Sequence, residues 1–122
     1  MFKLIISDTV KFPVKLSVND AGVKKEFSFQ LEGQRLDMDA LKAQLDENGE
    51  MKLSDFHAKV CRDHLTGWSD QRLVVDADGQ PAAFSLEALE CLMGLPGAVG
   101  VLHGAYMDAI VVASGTGGRA KN

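Results

Sequence analysis

The chain has 122 residues, enough for one domain with a modest core of its own. Its 46% hydrophobic and 25% charged residues exclude wholesale disorder. The formal charge is −4, and the 13 Lys and Arg are scattered, which excludes an electrostatic nucleic-acid binder because that needs a basic stripe.

MFKLIISDTV carries one early lysine and too short an apolar run for a secretory signal. No segment reaches the roughly 18 apolar residues of a membrane span. Cys61 and Cys91 are too few for a disulfide framework and read as small apolar residues of a reducing compartment. A soluble cytosolic domain is expected.

Val10, Phe12, Val14, Leu16 and Val18 alternate with Lys11, Pro13, Lys15 and Ser17, the period of a half-buried strand. Pro13 on the polar side has no N–H for a ladder, so an edge strand or a bulge is expected. Asn19-Asp20-Ala21-Gly22 is a turn, and Phe27, Phe29 and Leu31 alternate again, so the two runs predict a β-hairpin.

The period then changes. Leu36, Leu41 and Leu45, capped by Asp37 or Asp39, predict a short helix ending near Asn48-Gly49. Ser54 is the expected cap of a second helix over about 55–65, with Leu53, Phe56 and Val60 on one face and Thr66-Gly67 as its stop. A third short strand is expected over Arg72 to Asp76, followed by a tight Asp76-Ala77-Asp78-Gly79 turn. Ser85 caps a third helix with Leu86, Leu89, Leu92 and Met93 at helical spacing, stopped by Gly94.

Pro96 is expected in the first turn of a fourth helix, over about 97–113. Its stripe is Val99, Leu102, Tyr106, Ala109 and Ile110, and Gly97, Gly100 and Gly104 suggest a close helix–helix approach. These elements predict an α+β domain over residues 1–113, an N-terminal antiparallel hairpin packed with about four helices. The remainder, 114–122 (SGTGGRAKN), has nothing to bury and reads as a flexible tail.

The chemistry-bearing residues are few. His57, Cys61 and His64 share one helix side at i, i+4, i+7, a start for a zinc site. No Cys-x-x-Cys or second His pair supplies a fourth ligand, so partly buried helix residues are the better account. A nucleophilic cysteine would need a nearby base, and neither a nucleophile elbow nor a phosphate loop is present. In a calcium loop starting at Asp76, the sharp-turn glycine position would fall on Pro81, whose backbone angle is wrong. Trp68 reads first as a core anchor and second as an interface anchor, because tryptophan is enriched at binding hot spots.

The order of elements is itself informative. DTVKFPV opens a hairpin, and short acidic helices follow. TGWSDQRLVVDADGQPAAFS then leads into a Leu-rich helix, LPGAV and a small-residue helix with Tyr106, and the chain ends in AKN. This pattern resembles the tail assembly chaperones of tailed bacteriophages and prophages over nearly the whole chain, most specifically from Gly67-Trp68 through Phe84-Ser85 to Pro96.

The resemblance implies a non-enzymatic protein of the host cytoplasm. It would transiently bind the long helical tape-measure protein and recruit tail-tube subunits, without cofactor, metal, nucleic acid or membrane. The alternative is a structural tail component, such as a terminator or connector subunit, retained in the virion. An apolar partner, or a second copy of the chain, would use exposed apolar helix faces. Val101, Val111 and Val112 lie off the main stripe of the last helix, and with Trp68 and Tyr106 they are the candidate partner-binding residues.

Overall fold

The alternation of Val10–Val18 becomes β1 (Thr9–Asp20), paired antiparallel along its length with β2 (Val23–Gln34) in a computed structural model that describes residues 1–47 and 49–115. Only Ala21 and Gly22 separate the strands. Both take positive φ, 54° and 89°, the two-residue geometry whose twist matches a hairpin. Asn19 Oδ1 accepts from Gly22 N at 2.8 Å and closes the turn. Facing pairs Phe12↔Leu31 and Val14↔Phe29 put the apolar set of both strands on one face.

The fold is α+β: among the described residues, a three-stranded antiparallel sheet with four helices. The third strand is not where the apolar run at 72–76 suggested. β3 is Leu65–Ser69 and pairs with β2, giving the order β1-β2-β3. β1 is therefore an edge, one of the two placements that Pro13 allowed. Register shifts between Glu32 and Gly33, whose partners are Gly67 and Leu65. Thr66 is thus an extra residue, and its hydroxyl donates to Glu32 O. Side chains alternate strictly along a strand, so without the bulge Leu65 and Trp68 would face opposite sides. With it, Leu65 is buried beside Gly33 and Trp68 faces Phe29.

Residues 72–76 instead form a loop with one isolated bridge, Val75↔Pro81. Its organiser is the buried Gln71. The Oε1 atom accepts from Leu73 N and Val74 N, and Nε2 donates to Val74 O and Ala82 O, so one amide performs the work of a strand neighbour. Asp76 Oδ1 accepts from Asp78 N and Gln80 N, a turn locked by its own carboxylate.

The helices are α1 (Met38–Glu47), α2 (Leu53–His64), α3 (Leu86–Met93) and α4 (Ala98–Ile110), of which α4 packs on β1 and α2 against β3. Asp37 caps α1 by accepting from Ala40 N, and Ser85 caps α3 by accepting from Ala88 N. Ser54 is not the cap of α2; it lies inside the helix, which begins at Leu53 after an extended Lys52. Nor does Thr66-Gly67 stop that helix, since the chain passes directly from His64 into β3.

Pro96 stays outside α4, whose N-cap is Gly97 at φ 90°. The helix ends at Ile110, with Val111 already extended, so Val111 and Val112 are not helical. Gly100 and Gly104 mediate no close approach, because a Cβ at either would meet nothing within 4 Å. The sequence boundary at 113/114 falls within the described residues, but most of the expected tail, 116–122, lies outside them.

α4 lies across β1 and against α2, while α3 flanks both helices. Arg62 of α2 forms an ion pair with Glu90 of α3. Phe12 and Tyr106 stack at 5.8 Å, and the Tyr106 hydroxyl donates to Gln34 O.

The glycine that does permit a close approach is Gly33. A Cβ there would lie 2.9 Å from Tyr106 Cε1, 3.2 Å from Leu65 Cδ2 and 3.3 Å from His64 O. Alanine would gain roughly 0.5–1 kcal/mol from strand backbone entropy, but overpacking against a ring and a fixed carbonyl costs about 1–3 kcal/mol. Gly33→Ala is therefore expected to lower the urea midpoint at unchanged m-value; an unchanged or raised midpoint would contradict this packing.

Candidate functional site

Each of α1, α2 and α4 turns a pair of residues at i, i+4 spacing toward a common groove: Leu41/Leu45, Phe56/Val60 and His103/Met107. Leu36 and Met38 extend the α1 wall, and Lys42 and Gln44 complete the lining. The cavity is about 320 Å³ and has almost no polar lining. Met38 and Leu45 are exposed at its rim, while Leu36, Leu41, Phe56 and Met107 are partly buried against the core.

α1 makes the sparsest contact with the other elements, which leaves the groove open on its side. A polar link through His64 ties it to α2 and β2. His64 Nδ1 lies 3.0 Å from Gln34 Oε1, and Nε2 lies 2.8 Å from Gln44 Nε2. An amide oxygen only accepts and an amide NH₂ only donates, so Nδ1 carries the proton and Nε2 accepts. Desolvation lowers the His64 pKa, in keeping with this neutral tautomer.

The groove floor holds a second histidine contact. His103 of α4 and His57 of α2 stack with ring centroids 3.8 Å apart and planes at 13°, with Phe56 alongside. Burial, and secondarily the charge of His57, depress the His103 pKa to about 4. Cys61, beneath this helix face, is fully buried, and burial pushes its thiol up to about 12, so it is no thiolate at neutral pH. His57, Cys61 and His64 thus have separate roles in stacking, core packing and bridging. Among the described residues, no group of three His, Cys, Asp or Glu is placed to hold a metal ion.

The five residues singled out from sequence do not form one surface. Tyr106 is 0% exposed and belongs to the core, so it is unavailable to a partner in this conformation; its ring fills the space left by Gly33. Trp68 is partly buried. Its indole N–H donates to Ala82 O at 3.0 Å, and its ring meets Phe84 edge-on at 5.1 Å, anchoring the Gln71 loop to β3.

Val101, Val111 and Val112 are exposed, at 43%, 48% and 93%. Val101 borders a shallow hollow with Leu16, Val18, Leu95 and Pro96, and the other two follow the end of α4. Sequence reasoning missed Met38, His103 and Met107. The signal available was the run Met38/Leu41/Leu45, which leaves a short acidic helix with more apolar surface than it buries.

No helix among the described residues is long and apolar enough to cross a membrane; α3 and α4 qualify only together, and they are bent by 116°. No protein-family model, curated protein or solved structure matches the chain.

Neutral His103 predicts a pH dependence of definite sign. In the unfolded chain the ring protonates near 6.5, whereas in the fold it waits until about 4. Its contribution to stability is therefore complete above pH 6.5 and lost as pH falls from 6.5 toward 4. Urea midpoints of wild type and His103→Gln, compared from pH 7.5 to 4.5, should converge or cross in that window. A pH-independent difference would count against a buried, neutral His103 in the stack.

Proposed function

We propose that this chain is a tail assembly chaperone of a tailed bacteriophage or prophage. In this reading it is a non-enzymatic module of the host cytoplasm that transiently binds the tape-measure protein and brings tail-tube subunits to it. The observation that carries the reading is the groove between α1, α2 and α4. Its lining suits the apolar face of a helical partner, whose side chains at i, i+3, i+4 and i+7 would enter it. The resemblance from Gly67-Trp68 to Pro96 supplies the identity of that partner.

Each apolar side chain moved from water into such a groove contributes roughly 1.5–3 kcal/mol when fully buried. Two or three of them supply about 3–9 kcal/mol, of the same order as the cost of association, so the net affinity of such a complex is low. Transience follows from that modest total.

Met38 and Leu45 border the groove yet are exposed, so changing them disturbs the core least. In co-expression, the wild-type chain should keep the tape-measure protein in the soluble fraction. Met38→Lys combined with Leu45→Lys should remove that effect and weaken binding to a tape-measure helical peptide by about tenfold or more, roughly 1.4 kcal/mol per tenfold. Val112→Lys, outside the groove lining, should leave both intact. Purified virions should lack the chain; its stoichiometric presence there would instead identify a terminator-like or connector-like structural subunit.

A further inference from the structure

Five of the first six residues, Met1, Phe2, Leu4, Ile5 and Ile6, are large, apolar and exposed, with Phe2 and Ile5 at 101%. Singly exposed apolar residues are ordinary, but a contiguous run signals a surface meant to be covered. This segment is rooted beside the groove. Arg35 Nε donates to Ser7 O at 2.8 Å, Arg35 N donates to Asp8 O at 2.7 Å, and Thr9 faces Gln34. The residue after Arg35 is Leu36, the first of the groove lining, and Met38 follows.

We propose that residues 1–6 form a tethered strap that seats in the groove of their own chain, the structure showing it released. Six extended residues span about 20 Å, whereas the α1 wall from Met38 to Leu45 rises only about 10 Å. The strap therefore reaches the full length of the groove from its root. In an extended segment Phe2, Leu4 and Ile6 share one face, and Lys3 and Ile5 point to the other. With the apolar face inward, Lys3 lies on the outside, where α1 and its cap present Asp37, Asp39 and Asp46. Apolar lining thus meets apolar face, and the strap's charged side chain, Lys3, meets a helix whose carboxylates outnumber its one lysine, Lys42.

The tether also decides between the chain's own groove and that of a second copy. A short linker gives an effective concentration in the millimolar range, well above that of a second copy in dilute solution. The strap then acts as a resident competitor. A partner helix sees only the fraction of molecules with the strap released, so its apparent dissociation constant rises by the inverse of that fraction. This regulatory role rests on the groove being the binding surface, but the seating of the strap does not.

The test uses the full chain alone, so its failure is distinct from a failure of tape-measure binding. A nitroxide is placed at Lys3→Cys in a Cys91→Ser background, where the remaining Cys61 is buried, and the methionine methyl groups are observed by NMR. The expected result is a loss of at least half the Met38 and Met107 signals, persisting when labelled chain is diluted tenfold into unobserved, unlabelled chain.

Loss only when label and observed methyl groups are on different molecules would mean exchange between copies and overturn the proposal. No loss at Met38 and Met107 would also overturn it. As a second measurement, Phe2→Asp with Ile6→Asp should raise the fluorescence of an apolar dye by a few-fold as the groove is uncovered. Unchanged dye fluorescence would likewise refute the strap.

Discussion

The missing Cβ of Gly33 is the constraint on which the rest of the structure depends. Three elements converge on that point: the ring of Tyr106 from α4, the side chain of Leu65 from β3 and the carbonyl of His64 at the end of α2. The next residue, Gln34, accepts the Tyr106 hydroxyl through its backbone and the His64 imidazole through its side chain. Tyr106 fills the space and loses no hydrogen bond on burial, which is the condition for placing a phenol in a core. Burial raises its pKa further, so it remains a donor. Helix position, sheet bulge and the polar link to α1 are thereby set around one glycine.

The groove is a consequence of that placement. His103 and Met107 flank Tyr106 on α4 at i−3 and i+1, so anchoring the tyrosine under the sheet presents them toward α1 and α2. α2 is held by the His57–His103 stack on one side and by the Arg62–Glu90 pair on the other. The latter is largely exposed and contributes little by itself. α1 is partly covered by apolar residues and is linked through the His64–Gln44 contact. A groove with one sparsely packed wall is consistent with the proposed reversible binding, because the elements that move belong to the low-stability part of a fold.

The corner from Thr66 to Pro81 has a different role. Trp68 read first as a core anchor and second as an interface anchor, and here its indole N–H donates to Ala82 O while its ring makes edge-type contacts with Phe29 and Phe84. Gln71 supplies the backbone of the following loop with the partners that a neighbouring strand would have given. The apolar run Leu73-Val74-Val75 consequently stays out of the sheet, with Val74 buried and Val75 exposed. An amide can replace a ladder in this way because it offers donors and an acceptor together, and burial makes each bond matter more.

The local codes were legible in the sequence wherever a short-range rule acts alone. The period-two alternation of Val10–Val18, the Asn19–Gly22 turn, the Asp37 and Ser85 caps and the edge position implied by Pro13 are each set by neighbours a few residues away, and each is observed. Choices between equally permitted partners were not legible. Leu65–Ser69 and Arg72–Asp76 are both short and partly apolar, and a bulge at Thr66 together with a side chain at Gln71 decided which one entered the sheet. Likewise, the exposed valines after α4 looked like a partner surface, whereas the groove draws one pair of residues from each of three helices distant in sequence. Periodicity reports which side of a helix is apolar; only the packing of helices around Gly33 determines which of those sides meet and which are left open.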